Sequence, residues 1–292
     1  MPRVLLVVNP QASGVSDAAA DAVAAALGPG VEIARTERQG HAVDLVRDAD
    51  AGAVVVFGGD GVFNEALNGL RPGLPLGLVP GGGSSVLPRA LGLSSDVEDA
   101  ARRIADAIRI DRTSEVSLGR VNGRRFTFAA GVGADAELVR NIDRRGRADD
   151  GRLPGDMTVA WLLTRQFASR RGKYDPSLHI EGLGRAAFAL VANGDAYTYV
   201  GPLALRFAPE ARFELGLDVV APTQVRARSL PSFAWRGLTG RVHHEGTLYA
   251  HDLDRITIYC DRPMPLQADG EDLGDVREAH FESERDAAKV LR

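Results

Sequence analysis

Short, wholly apolar segments that each end on glycine set the fold class of this chain. Residues 53–57 (AVVVF) run into Gly58-Gly59-Asp60-Gly61, and residues 76–79 run into Pro80-Gly81-Gly82-Gly83. An apolar run of this length, without the alternation of a half-solvated strand, predicts a strand covered on both faces, as in parallel sheets. Residues 3–8 (RVLLVV), which stop at Asn9-Pro10, and residues 31–34 add two more strands. Helical stretches lie between them. Ser16 or Asp17 can cap an Ala-rich segment that reaches Leu27, and residues 40–48 carry Ala42, Val43, Leu45 and Val46 at helical spacing. Another helix leaves the first glycine turn and ends near Leu70. Strands that alternate with helices predict a doubly wound parallel sheet, here over residues 1–112.

The pattern changes near Ser114. Strand signals then dominate (VSLGRV, RRFTFAAGV, AAFALVAN, LDVVAP, DRITIYC), broken by one helical segment at about 158–171. This predicts a second, mostly antiparallel β domain from about residue 113 onward. The charged stretch at 143–152 reads as a loop. A length of 292 residues accommodates two domains of about 150 residues each. At 45% hydrophobic and 25% charged residues, the chain has the composition of a globular protein and not of a disordered one. A net charge of −4 weighs against a dedicated nucleic-acid binder. No apolar run reaches the ~18–20 residues of a membrane-spanning helix. The N-terminal sequence lacks the pattern of a cleaved leader, so a cytoplasmic location is the expectation. With Cys260 alone, no disulfide can form within the chain, and Cys260 reads as a small apolar residue.

Two glycine-rich loops that follow adjacent strands point to one crevice at the carboxyl ends of the sheet, where open α/β folds bind ligands. Glycine lets a phosphate approach the backbone, and the helix that follows offers free N–H groups and a partial positive charge. A tight βα turn without a ligand is the alternative for each loop taken alone. Neither is a Walker A loop, because no Gly-Lys-Ser/Thr is present. Near the C-terminus, Asp269-Gly270-Glu271-Asp272 reads by itself as an acidic hairpin turn.

Taken together and in order, these segments resemble the soluble bacterial diacylglycerol kinases, a lipid kinase family related to sphingosine kinases and NAD kinases. The resemblance rests on Val8-Asn9-Pro10 with Ser13-Gly14, on GGDGVFNEALNGL at 58–70 and on LVPGGGSSVLPRALGL at 78–93. It continues through FAAGVGADA at 128–136, Asn193, Tyr199, Gly201, Pro209 and Ala211, and ends on Gln267-Ala268-Asp269-Gly270-Glu271. It implies a kinase that moves the γ-phosphoryl of ATP, with Mg²⁺, to the hydroxyl of diacylglycerol or a similar lipid. It also implies that residues 113–283 form a β-sandwich domain for the lipid substrate, that a segment at about 284–292 returns to the first domain, and that the site lies in the cleft between the domains. By motif, Asn9, Pro10, Gln11, Ala12, Ser13, Thr36, Gly58, Gly59, Asp60, Gly61, Val62, Phe63, Asn64, Glu65, Gly82, Gly83 and Ser84 would bind ATP. Asp60 would also support Mg²⁺, and Glu271 would be the general base. A lipid substrate implies transient contact with a membrane surface; a homodimer stays open.

The chain departs from the family pattern at several places. Val62 replaces the signature threonine, Gly83, Ser85 and Val86 replace polar residues of the second loop, and Ser117 stands where aspartate is frequent. Glu214-Leu215-Gly216 departs from the family's structural metal loop. A weak or inactive nucleotide- and lipid-binding homologue is therefore an alternative, as is a kinase for a sphingoid base or glycolipid. For the membrane contact, the sequence offers Met157, Val159, Ala160, Trp161, Leu162, Leu163 and Phe167, followed by Arg170, Arg171 and Lys173, with Arg165 among them. A helix that packs its apolar side inward is the competing reading. A second candidate runs from Phe233-Ala234-Trp235-Arg236 to His243 and His244.

Overall fold

The computed structural model describes residues 2–82, 85–145, 156–200, 203–241 and 244–292. The chain divides into two compact units, residues 1–117 with 286–292 and residues 118–285.

Unit 1 is built from β1 (Val4–Val8), α1 (Asp17–Leu27), β2 (Val31–Arg35), α2 (His41–Arg47), β3 (Ala53–Gly58), α3 (Asp60–Gly69), β4 (Pro75–Pro80), α4 (Val86–Ala90) and α5 (Val97–Arg109). Its strands are parallel in the order β2–β1–β3–β4. Lys289 and Val290 then pair in parallel with Pro75 and Leu76 at the edge of β4. All residues of β1 and β3 are buried, as their apolar runs predict. Val4, Leu6, Val8, Val55 and Phe57 pack with Ala20 and Val23 of α1 and Ala101 and Ile104 of α5. Ser16 caps α1 by accepting from the Ala19 amide at 3.1 Å. On another side α3 lies against α2, where a Cβ on Gly69 would sit 2.3 Å from the Val43 carbonyl oxygen. Glycine at 69 is thus what lets the two backbones approach.

Unit 2 begins within β5 (Thr113–Val121), which continues from unit 1. It comprises β6 (Arg124–Phe126), β7 (Ala129–Val132), α6 (Ala134–Arg145), α7 (Asp156–Ser169), β8 (Lys173–Tyr174), β9 (Leu178–Ile180), β10 (Gly184–Ala186) and β11 (Ala189–Ala192). Next come β12 (Thr198–Val200), β13 (Leu203–Leu205), β14 (Leu217–Pro222), β15 (Val225–Arg226), α8 (Leu230–Thr239), β16 (Thr247–Leu253), β17 (Arg255–Ala268) and β18 (Glu271–Leu291). Strands β16, β14, β11, β7 and β17 form an antiparallel ladder. The first half of β17 pairs with β9 and its second half with β7. Register shifts between Tyr259 and Met264 and between Pro265 and Gln267 separate the two halves. These irregularities accommodate Pro263 and Pro265, which cannot donate to a ladder. The core centres on Phe126, Leu178, Ile180, Leu217, Val219, Ile258 and Phe281.

Unit 2 holds more helix than the sequence pattern suggests. Besides α7 it contains α6 and α8, and α6 takes in Asp143, Arg144 and Arg145 of the stretch read as a loop; 146–152 lie outside the described residues. Asp135 and Glu137 in the first turn of α6 suit a helix N-terminus. Helix α7 buries Leu162, packs Phe167 into a small core with Tyr174, Phe188 and Val225, and leaves Trp161 47% exposed. The side chains of Met157, Val159, Ala160, Phe233 and Ala234, and the whole of His243, lie outside the described residues. Among the described residues no helix is long and apolar enough to cross a membrane. Cys260 is half-buried, and burial pushes its thiol up to about 11, well away from a reactive thiolate.

Candidate functional site: loops at the strand ends of unit 1 and the acidic hairpin of unit 2

In unit 1 the loops after β1, β3 and β4 meet at the carboxyl ends of the parallel strands. Backbone bonds tie them together. The Gly14 amide donates to the Gly81 carbonyl at 2.8 Å, and the Gly81 amide donates to the Gly58 carbonyl at 2.6 Å. The approach is close enough to require glycine. A Cβ on Gly82 would lie 2.8 Å from the Gly59 Cα, and one on Gly14 would lie 3.0 Å from the Gly81 oxygen.

Side chains fix the same loops. The Asn9 backbone N–H donates to the Phe57 carbonyl at 3.0 Å, and its side-chain Oδ1 accepts from the Gln11 backbone amide at 3.0 Å and from the Thr36 hydroxyl at 3.4 Å. Asp60 joins two loops. Its Oδ2 accepts from the Val86 amide at 2.9 Å and its Oδ1 from the Leu87 amide at 3.0 Å. Helix α4 begins after Ser85, whose left-handed backbone (φ 44°) leaves it without a side-chain cap, and Asp60 supplies that cap from 26 residues away. Burial pushes the Asp60 carboxyl above its ordinary value, and the two amides oppose that shift. In the same manner Glu65 caps α2, its Oε2 accepting from the Ala42 amide at 3.3 Å.

The residues predicted to bind ATP fall into three groups. Pro10, Gln11, Ser13 and Gly61 are exposed, and Asn9, Ala12, Thr36, Gly59, Asp60, Glu65 and Gly82 are partly exposed. Gly58, Val62, Phe63 and Asn64 are buried, and Asn64 accepts from the Asn68 side-chain amide at 3.1 Å. Gly83 and Ser84 lie outside the described residues, as does Gly201. Val62 packs so close to the loop that a Cβ on Gly58 would meet its Cγ1 at 2.5 Å. Helix α3 has no side-chain cap at Gly59, so its first-turn N–H groups receive no acceptor from a capping side chain.

In unit 2, Asp269 and Gly270 form the two-residue corner between β17 and β18, with φ of 49° and 79°. Positive φ at both residues is what a tight hairpin of this twist needs, and Asp-Gly supplies it. The Asp269 carboxylate is half-buried and accepts four hydrogen bonds. These come from the Thr127 amide (2.6 Å), the Thr127 hydroxyl (2.7 Å), the Phe128 amide (3.0 Å) and the Ala129 amide (3.2 Å). Burial raises its pKa while those donors pull it down. Gln267 braces the corner from the other side. Its Oε1 accepts from the Gly270 amide at 2.9 Å, and its Nε2 donates to Asp135 at 2.7 Å. Asp135 is itself half-buried and bonded to the Tyr197 hydroxyl, and desolvation raises both pKa values. Glu271 follows this corner, half-exposed and paired with Arg124. Asp272 is held by Arg140, which keeps its carboxyl below the usual range.

The braced corner gives a test. Asp269→Asn would set an amide NH₂ against backbone donors and is expected to destabilise the fold by about 2–4 kcal/mol, at roughly 1–3 kcal/mol for each donor left unpaired. Chemical denaturation of the variant measures this; a change below about 1 kcal/mol would contradict the bracing role.

Among the described residues no group of three His, Cys, Asp or Glu side chains is placed to hold a metal. Both Asp60 oxygens already accept backbone amides, and Gly216 in the altered metal loop donates to Asp252 at 2.7 Å. The described residues thus build no protein cage for Mg²⁺.

Comparison with known proteins agrees with this architecture. The diacylglycerol kinase catalytic domain family matches residues 3–121. A diacylglycerol kinase of Staphylococcus haemolyticus is 40% identical over 105 residues, covering 33% of this chain and 30% of that protein. The chain spans less than half the length of the curated relatives it matches. A crystal structure of a diacylglycerol kinase from Bacillus anthracis superposes with a TM-score of 0.71 at 19% identity, covering 99% of this chain and 96% of that one. An NAD kinase from Archaeoglobus fulgidus, solved in complex with ATP, superposes with a TM-score of 0.56 at 14% identity, covering 99% and 93%. At these identities the two structures establish the fold alone. The two comparisons point the same way: residues 3–121 match the diacylglycerol kinase catalytic domain family, in a chain with the fold of the bacterial diacylglycerol kinases.

Proposed function

We propose that this protein is a lipid kinase that transfers the γ-phosphoryl group of ATP to the hydroxyl of diacylglycerol, giving phosphatidic acid and ADP. The observation that carries this reading is the three-loop junction of unit 1. Backbone N–H groups at the start of α3 and the close-packed glycines of the loops after β1, β3 and β4 form a cradle suited to phosphates. Asp60 positions the cradle by joining the start of α3 to the start of α4.

In the proposed step, Glu271 accepts the proton of the lipid hydroxyl. The hydroxyl oxygen bonds to the γ-phosphorus, the bond from that phosphorus to the β,γ-bridging oxygen breaks, and ADP leaves with the electron pair. Such transfers depend mainly on positioning and charge stabilisation. Magnesium enters as part of the Mg-ATP substrate, held chiefly by phosphate oxygens and water. The protein would work on a lipid in place, at a membrane surface on the cytoplasmic side.

One observation favours a second reading, a homologue with weak turnover: the buried Val62 places methyl groups where the family signature has a hydroxyl. ADP release in the presence of Mg-ATP, with and without diacylglycerol in vesicles, separates the two. Release that rises at least tenfold with lipid supports the kinase. Saturable ATP binding with no lipid-dependent release would overturn it in favour of the second reading.

A further inference from the structure

In unit 2 a two-stranded ribbon collects positive charge on one face. Strands β8 and β15 pair antiparallel, with Lys173 directly opposite Arg226 and Tyr174 opposite Val225. Tyr174 and Val225 are buried in the core, so Lys173 and Arg226 point the other way, into solvent. Arg171 precedes the ribbon and Arg228 follows it, and the Ala227 amide donates to the Gly172 carbonyl at 2.7 Å, which holds the two ends together. Arg171, Lys173, Arg226 and Arg228 line an open concavity of about 350 Å³.

Like charges placed opposite each other on a ribbon are destabilising unless something neutralises them. Asp175 does so for Lys173, at 2.8 Å, and also accepts from Gln224 at 3.1 Å. Among the described residues no carboxylate pairs with Arg171, Arg226 or Arg228. Arg226 reaches only the Gln224 side-chain oxygen, at 3.2 Å. The Asp175 carboxylate also feels the charge of Arg226, so among the described residues Arg171 and Arg228 are the guanidinium groups of the concavity left without a carboxylate nearby, and guanidinium is the side chain best matched to phosphate oxygens.

We propose that this concavity binds the phosphate of an anionic phospholipid in a bilayer, and so fixes unit 2 on the membrane surface. The exposed stripe of α7 supports a bilayer as the source of that phosphate. Trp161, with the Arg165 guanidinium 5.5 Å from its ring centroid, Ala168 and Ser169 lie on this stripe, which leads directly to Arg171. Exposed tryptophan beside arginine suits the interface between headgroups and acyl chains. The inference gives a place to the membrane contact that the lipid kinase reading requires and rests on that reading for its purpose. Binding itself needs no turnover.

The test is co-sedimentation of the full chain, without ATP, with phosphatidylcholine vesicles and with phosphatidylcholine–phosphatidylglycerol vesicles. The native protein is expected to bind only the second kind. The double variant Arg171→Gln/Arg228→Gln removes cations that pair with no carboxylate among the described residues and is expected to weaken that binding by roughly tenfold or more. Arg102→Gln/Arg103→Gln removes the same charge from α5 and is expected to leave it unchanged. Equal loss in both double variants would show a diffuse charge effect and overturn the site, as would equal binding by the native chain and the Arg171/Arg228 variant. Binding of inorganic phosphate at the concavity without vesicle binding would overturn the bilayer as its source. Glu271→Gln, tested alongside, is expected to bind vesicles normally, which separates failure of this site from failure of the kinase reading.

Discussion

Glu271→Gln is expected to lower phosphoryl transfer by roughly two to four orders of magnitude, the usual contribution of a general base, and to leave ATP affinity within about twofold. The amide keeps the shape and a hydrogen bond acceptor for Arg124 but cannot take the hydroxyl proton. The surrounding corner is anchored through Asp269 and Gln267, not through Glu271, so the hairpin should stand unchanged. Single-turnover transfer and equilibrium ATP binding on the same sample measure the two effects separately. A variant that turns over within about tenfold of the native rate would remove Glu271 from the chemistry. One that loses ATP binding as well would indicate a structural role.

Asp60→Ala should act on the other partner of the reaction. It strands the buried amides of Val86 and Leu87 and takes the cap from α4, a helix of only five residues. Loss of a cap costs about 0.5–2 kcal/mol and a stranded buried donor about 1–3 kcal/mol, so a fall of about 2–4 kcal/mol in stability is expected. The loop after β4 would lose its tie to the loop after β3, and ATP affinity should drop by roughly tenfold or more. Asp60→Asn keeps one acceptor and should fall between the two. Denaturant midpoints and ATP titration measure both quantities. An alanine variant with native stability and native ATP affinity would contradict the positioning role.

Much of unit 1 is legible in the sequence because its signals are local. The apolar runs of β1, β3 and β4 are sealed on both faces and need no partner to be recognised. Ser16 announces the start of α1 by its chemistry, and Asp269-Gly270 announces the corner between β17 and β18. What escapes local reading depends on contacts distant in sequence. Asp60 looks like a ligand in a glycine loop, yet its partners are 26 and 27 residues away. Helix α6 shows only a partial apolar face, and Pro263 and Pro265 obscure a strand that tolerates them through shifts in register. The basic concavity joins Arg171 to Arg228 across more than fifty residues, so no window of sequence displays it.

The central claim is that phosphorus moves from ATP to lipid. Its most direct test is to incubate the protein with γ-labelled ATP, Mg²⁺ and diacylglycerol vesicles, and to follow the label into the organic phase. Label is expected in phosphatidic acid, dependent on diacylglycerol and lost in Glu271→Gln. Label found only in inorganic phosphate, or transferred equally by native protein and Glu271→Gln, would contradict it.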